Sequence, residues 1–302
     1  MTPSPLSQRA RGCLLGLATG NALGLPAELL MTPEAIRDSF PGGIIDIARQ
    51  DTPKSPFDDD VALALIQADE LLEPEVDMER LVLRWIDWRT RDGRGIGDWT
   101  RTALDHIANH HSPPSDSGGL ATNGSLARTI PVALATVAHP ANLVSGSFHL
   151  AQLLHPDPRC AWGAVAINVA IACYLQGVRD FIPEVMDALT TNAAPDELLA
   201  AVRRVPLEKK EDLPVTSVDP GHVLVCVETA LWFGYHEPKL ERGLLWLANA
   251  GGDTDTNAAV AGAVMGSRDG ESAIPSRWID SIPQVERIRA VADGLVGMAS
   301  AA

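Results

Sequence analysis

The sequence is short of basic charge, of closely spaced cysteines and of uninterrupted apolar runs, and each shortage closes off a class of function. Lysine and arginine total 24 against 39 aspartates and glutamates, a formal net charge of −15. A surplus of that sign repels phosphate backbones and anionic membrane surfaces, so general nucleic-acid and membrane binding are not expected. Four cysteines, Cys13, Cys160, Cys173 and Cys226, stand far apart in apolar surroundings with no CxxC spacing. They read as reduced core thiols of a cytoplasmic protein, and zinc is not expected. The apolar stretch over 12–30 is interrupted by Asn21, Pro26 and Glu28. No small-residue cleavage site follows it cleanly, so it reads as a buried helix, with Gly12, Gly16, Gly20 and Gly24 as a close-packing stripe. Internal repeats, long linkers and two-residue alternation are also missing. What remains, 302 residues of which 46% are hydrophobic, suits one all-α domain.

What the chain does have is acid set against apolar helices. Gly251-Gly252-Asp253-Thr254-Asp255-Thr256 precedes a run of small and apolar residues to Gly266 that reads as a buried helix. One Asp or Thr would cap that helix and offset its dipole. Asp253, Asp255 and Thr256 supply more oxygen than a cap needs, and the glycine pair lets them converge as ligands for a hard cation. Upstream, Asp58-Asp59-Asp60 is wedged against the apolar helix pattern from Val61 to Leu72, so these acids are carried inward. Two carboxylates 4 Å apart repel by roughly 4 kcal/mol at an effective dielectric near 20, which a divalent cation would relieve. Glu28, at the end of the glycine-striped helix, is a candidate for the same cleft.

Other stretches add weaker signals. Residues 31–57 read as a loop with a short helix at Pro33–Ser39, and 77–91 as an amphipathic helix with Trp85 and Trp88 in the core. Gly95-Ile96-Gly97-Asp98 forms a turn before a helix. The turn-rich run 112–125 ends in Asn123-Gly124-Ser125, a helix start suited to an anion or simply a connector capped by Ser125. His155 stands before the apolar helix Cys160–Leu175, and 205–220 reads as a solvated excursion whose composition points to no particular chemistry. An EF-hand loop beginning at Asp253 fails, because Ala258 and Val264 stand where Gly and Glu are required. Haloacid-dehalogenase and isoprenoid-synthase patterns fail as well: the fifth residue from Asp253 is Asn257, and the next acid after Asp60 is Asp69.

Taken in order, Arg9 to Glu28, Asp58-Asp59-Asp60-Val61, Gly95-Ile96-Gly97, Asn123-Gly124-Ser125 with Arg128, His155-Pro156 and the 251–256 motif resemble the ADP-ribosylglycohydrolase family over about residues 9–282. The resemblance implies an orthogonal all-α bundle, a single domain over 1–302, that hydrolyses the bond between ADP-ribose and an acceptor such as arginine, serine or a nucleobase. It implies two Mg²⁺ ions, with Mn²⁺ as a substitute, held by Asp58, Asp59, Asp60, Asp253, Asp255 and Thr256. Asp59, Asp60 and Glu28 would be catalytic. Gly97, Asp98, Gly119, Asn123, Gly124, Ser125, Arg128, His155 and Gly252 would contact substrate, and the chain is expected as a monomer. The competing expectations are an inert ADP-ribose-binding or crystallin-like protein, or a hydrolase of a small ADP-ribose derivative. Three positions depart from the family pattern: Asp58 replaces a usual Thr or Ser, Val61 a common Thr, and Asn21 a frequent Asp.

Overall fold

The computed structural model describes residues 4–28, 30–48, 57–282 and 284–301. Part of the loop expected over 31–57 lies outside the described residues. The α-helices run α1 (Pro5–Gly24), α2 (Pro33–Ser39), α3 (Asp59–Leu71), α4 (Met78–Arg91), α5 (Asp98–His110), α6 (Gly124–Thr129), α7 (Pro131–Ala135) and α8 (Pro140–Gln152). They continue as α9 (Pro158–Gln176), α10 (Ile182–Thr191), α11 (Asp196–Arg204), α12 (Val223–His236), α13 (Leu240–Ala248), α14 (Thr254–Asp269), α15 (Ser276–Ile279) and α16 (Val285–Ala301). Among the described residues the only β pairing is an isolated antiparallel bridge between Thr122 and His222. The fold is all-α, as the absence of strand alternation predicts.

The centre of the fold is the antiparallel contact of α1 with α14, and it exists because both helices lack side chains where they cross. A Cβ at Gly16 would lie 2.1 Å from the Gly262 carbonyl oxygen, one at Gly20 2.0 Å from that of Ala258, and one at Gly12 2.4 Å from that of Gly266. The glycine stripe therefore lets two backbones touch, gaining dispersion over their length. At the far end of this contact the Thr254 hydroxyl donates to the Gly24 carbonyl at 2.8 Å. That bond fixes the start of α14 beside the end of α1, where Glu28 follows.

Helix α9 is 19 residues long and apolar enough to cross a membrane, yet most of it is buried inside the fold, beside α8, α10, α12 and α14. Asp157 caps it by accepting from the Arg159 N–H, and Gly177 ends it in the left-handed region at φ 87°. A second apolar cluster gathers Leu63, Trp85, Leu104 and Leu150. Trp85 is fully buried in it and donates to the Leu63 carbonyl at 3.2 Å. Trp88, expected in the core, is only partly buried against that cluster.

Candidate active site

Four helices begin at one cleft: α3 at Asp59, α5 at Asp98, α6 at Gly124 and α14 at Thr254. Their N-terminal dipoles offset part of the cost of gathering carboxylates there. The cleft has a volume of about 260 Å³, and its walls carry Glu28, Asp59, Asp60, Asp98, Asp253, Asp255 and Thr256, with Asn123, Gly97, Gly124 and Gly252 between them. Among the described residues no lysine, arginine or histidine lines it. The acids separated by almost two hundred residues in sequence thus meet, and Gly97, Gly124, Gly252 and Asn123 meet with them.

Asp58 and Asp253 occupy the positions just before α3 and α14, yet neither side chain caps its helix. The Asp58 carboxylate turns instead to Asn21, whose Nδ2 donates to Asp58 Oδ1 at 2.8 Å and to Asp60 Oδ2 at 3.4 Å. Asn123 Nδ2 donates to Asp253 Oδ2 at 2.7 Å. Carboxylate oxygens of Glu28, Asp58 and Asp255 lie within 4.8 Å of one another, a group that could hold a metal ion. Asp58 Oδ2 and Asp255 Oδ1 are buried and accept no hydrogen bond. Two buried acceptors with no donor fit a cation between them, since a carboxylate left unpaired in a buried site is costly.

The electrostatics carry the same message. Burial, then the neighbouring acids Asp58 and Asp60, push Asp59 well above the ordinary carboxylate range. Asp60 and Asp255 are raised by burial and by Asp253 and Asp58, and Asp58 itself is raised chiefly by burial. Glu28, half-buried, is pushed up to about 7 by burial, Asp58 and Asp253. Without a cation these buried carboxyls therefore hold protons to higher pH than free carboxyls do.

Four of the expected substrate-contacting residues are not brought into the cleft. Gly119 is exposed on the 112–123 loop, where its carbonyl accepts from Arg159. Ser125, Arg128 and His155 lie fully buried behind the wall, because α6 is a single short helix packed between α3 and α9. The Arg128 guanidinium donates to the carbonyls of Gly124, Leu150 and Ala151 and sits over the Trp85 ring at 5.3 Å. Burial lowers its pKa to about 9. His155 Nε2 lies 3.0 Å from the Thr122 hydroxyl, and burial with the adjacent Arg128 holds its pKa well below the ordinary value. These two side chains support the loop that carries Asn123 and Gly124.

The cleft also holds residues that sequence reasoning passed over. Met31, Trp99, Thr100 and Thr122 line it, and so do Pro220, at the end of the excursion from which no chemistry could be read, and Gly221 just after it. The Asn123 N–H donates to the Gly221 carbonyl at 3.0 Å, and the Val223 N–H to that of Ala121 at 2.8 Å. The same excursion closes over the glycine pair: Gly252, at φ 76°, leaves no room for a side chain, because a Cβ would lie 2.0 Å from the Val215 carbonyl oxygen. Leu213 and Val215, apolar residues in this polar and proline-rich run and both buried in the fold, were the available signal.

Comparison with known proteins agrees with this geometry. The sequence profile of the ADP-ribosylglycohydrolase family matches residues 2–302. The chain is 28% identical to the ADP-ribosyl-[dinitrogen reductase] glycohydrolase of Rhodospirillum rubrum over 99% of each protein. It is 26% identical to the ADP-ribosylarginine hydrolase Tri1 of Serratia proteamaculans, covering 96% of this chain and 80% of that protein. A solved structure described as an ADP-ribosylglycohydrolase-related protein complex superimposes with a TM-score of 0.81 at 27% identity, over 97% of this chain and 99% of the other. The chain therefore shares the fold of a solved ADP-ribosylglycohydrolase-related protein and belongs to the ADP-ribosylglycohydrolase family.

Proposed function

We propose that this protein removes ADP-ribose from arginine side chains, using a divalent-cation site built from Glu28, Asp58, Asp59, Asp60, Asp253, Asp255 and Thr256. The observation that carries the acceptor assignment is the composition of the cleft, whose lining among the described residues includes six carboxylates and no basic side chain. An arginine joined to ribose keeps a cationic guanidinium, and one carboxylate about 5 Å away attracts it by roughly 3 kcal/mol at an effective dielectric near 20. The same negative field stabilises the oxocarbenium character that develops as the glycosidic bond breaks. A neutral serine acceptor gains only the second of these effects.

A divalent cation bound here supplies Lewis acidity and orients ribose hydroxyls. The chain's own residues do the rest. Asp59, half-buried at the cleft surface, is placed to take a proton from the attacking water, with Glu28 across the cleft as its assistant. Gly124 at the start of α6 and Gly95 and Gly97 of the turn before α5 line the cleft without side chains and leave room there for the pyrophosphate. Arg128 and His155 act by holding that loop from behind.

The test is a comparison of kcat/KM for arginine-, serine- and nucleobase-linked ADP-ribose with Mg²⁺ present. The arginine linkage is expected to lead by tenfold or more; a preference for serine would overturn the acceptor assignment.

A further inference from the structure

We infer that Asn21, together with Gly95, is a positioning device that turns the Asp58 carboxylate toward the cation site. The inference rests on the divalent-cation reading of the cleft. Asn21 sits on α1 with no exposed surface, beside the acids of the 58–60 stretch. All of its hydrogen-bonding capacity that the structure displays is spent on one short stretch. Its Oδ1 accepts from the Asp58 backbone N–H at 3.1 Å, while its Nδ2 donates to Asp58 Oδ1 and Asp60 Oδ2. A side-chain amide is the smallest group that presents a donor and an acceptor at that separation, and being neutral it adds no charge to the cluster.

Gly95 closes the opposite side. It lies in the left-handed region at φ 71°, and a Cβ there would fall 2.3 Å from Asp58 Oδ2 and 2.6 Å from Asp58 Cγ. The carboxylate is thereby sandwiched between the Asn21 amide and the Gly95 backbone. One oxygen is tied to the amide and the other, Oδ2, is buried without a hydrogen-bond partner, while the Asp58 carboxylate belongs to the group formed with Glu28 and Asp255. An aspartate in the position before a helix ordinarily rotates to cap it, and Asp58 does not. Asn21 and Gly95 remove that alternative. The departure at position 21 noted in the sequence is therefore matched to the acid at position 58: the amide donor is what a carboxylate there requires.

Outer groups that orient ligands typically set metal affinity by 10- to 100-fold. The experiment is calorimetric titration of Mn²⁺ into the full-length wild type, Asn21→Ala and Gly95→Ala, with melting temperatures recorded in chelator. The expected result is Mn²⁺ binding by the wild type and a weakening of at least about tenfold in each variant. A variant that melts lower in chelator but binds Mn²⁺ with wild-type affinity shows Asn21 or Gly95 to be structural filling and overturns the inference. Should Asn21→Ala not fold, Gly95→Ala perturbs the same carboxylate from the other side and decides alone. A wild type that binds no Mn²⁺ would instead remove the cation reading on which the inference stands.

Discussion

Replacing Glu28 by Gln in the metal-free protein should stabilise it at pH 8 and leave it unchanged at pH 5. The carboxyl titrates at 4.5 in the absence of neighbours and at about 7 in the fold, raised first by burial and then by Asp58 and Asp253. Between those values the folded state holds a proton that the unfolded chain has lost. Stability is therefore full below pH 4.5 and is lost as pH rises through 7. The span from 4.5 to about 7 corresponds to roughly 3 kcal/mol at 1.36 kcal/mol per pH unit. Solvent around the half-buried side chain screens that to about 1–2 kcal/mol. For a chain of this size the gain at pH 8 is about 1.5–3 °C in melting temperature. Gln keeps the shape and discards the ionisation, so the difference between the two proteins isolates Glu28 from His155, whose own titration has the opposite sign below pH 6.5. The assay is a melting series from pH 5 to 8 in chelator. A variant that is less stable at pH 8, or whose advantage does not change with pH, would refute the assignment of Glu28 to the acid cluster. With saturating Mg²⁺ the advantage should disappear, because the cation then answers the charge.

Two further substitutions test what holds the site in place. Gly16→Val puts side-chain atoms into the Gly262 carbonyl and should cost at least about 3 kcal/mol in chemical denaturation, whereas a loss under 1 kcal/mol would mean that α1 and α14 can move apart freely. Arg128→Met leaves the shape of a buried cation but removes its bonds to Gly124, Leu150 and Ala151. Its melting temperature should fall with a loss of about 3–5 kcal/mol, and the KM of the residual enzyme should change little; a large rise in KM at unchanged stability would place Arg128 in contact with substrate.

The fold was legible wherever local chemistry decided it. Thr32 accepting from the Ala35 N–H, with Pro33 in the first turn, makes α2 begin and end where its sequence says. The glycine stripe from Gly12 to Gly24 announced a close helix contact, although its partner, the small residues Ala258, Gly262 and Gly266, could be identified only in three dimensions. The convergence of Asp58–Asp60 with Asp253–Thr256 could be argued because both acid groups abut helices too apolar to be exposed. Interactions between segments remote in sequence were not legible. Nothing local to Asn21 reveals that its amide will bond the 58–60 acids, and nothing local to Pro220-Gly221 reveals the bridge at Thr122 and His222 that draws them into the cleft. Arg128 and His155 carry the residue types of a binding site, and their full burial follows from how α6 packs between α3 and α9, not from their neighbours in sequence.

The most direct measurement is a time course of ADP-ribose release from an ADP-ribosylated arginine peptide, run with Mg²⁺, after chelation, and after Mg²⁺ is restored. Release that stops on chelation and resumes with the cation is the predicted result. Release that continues unchanged in chelator, or no release from a protein shown by calorimetry to bind ADP-ribose, would contradict the account.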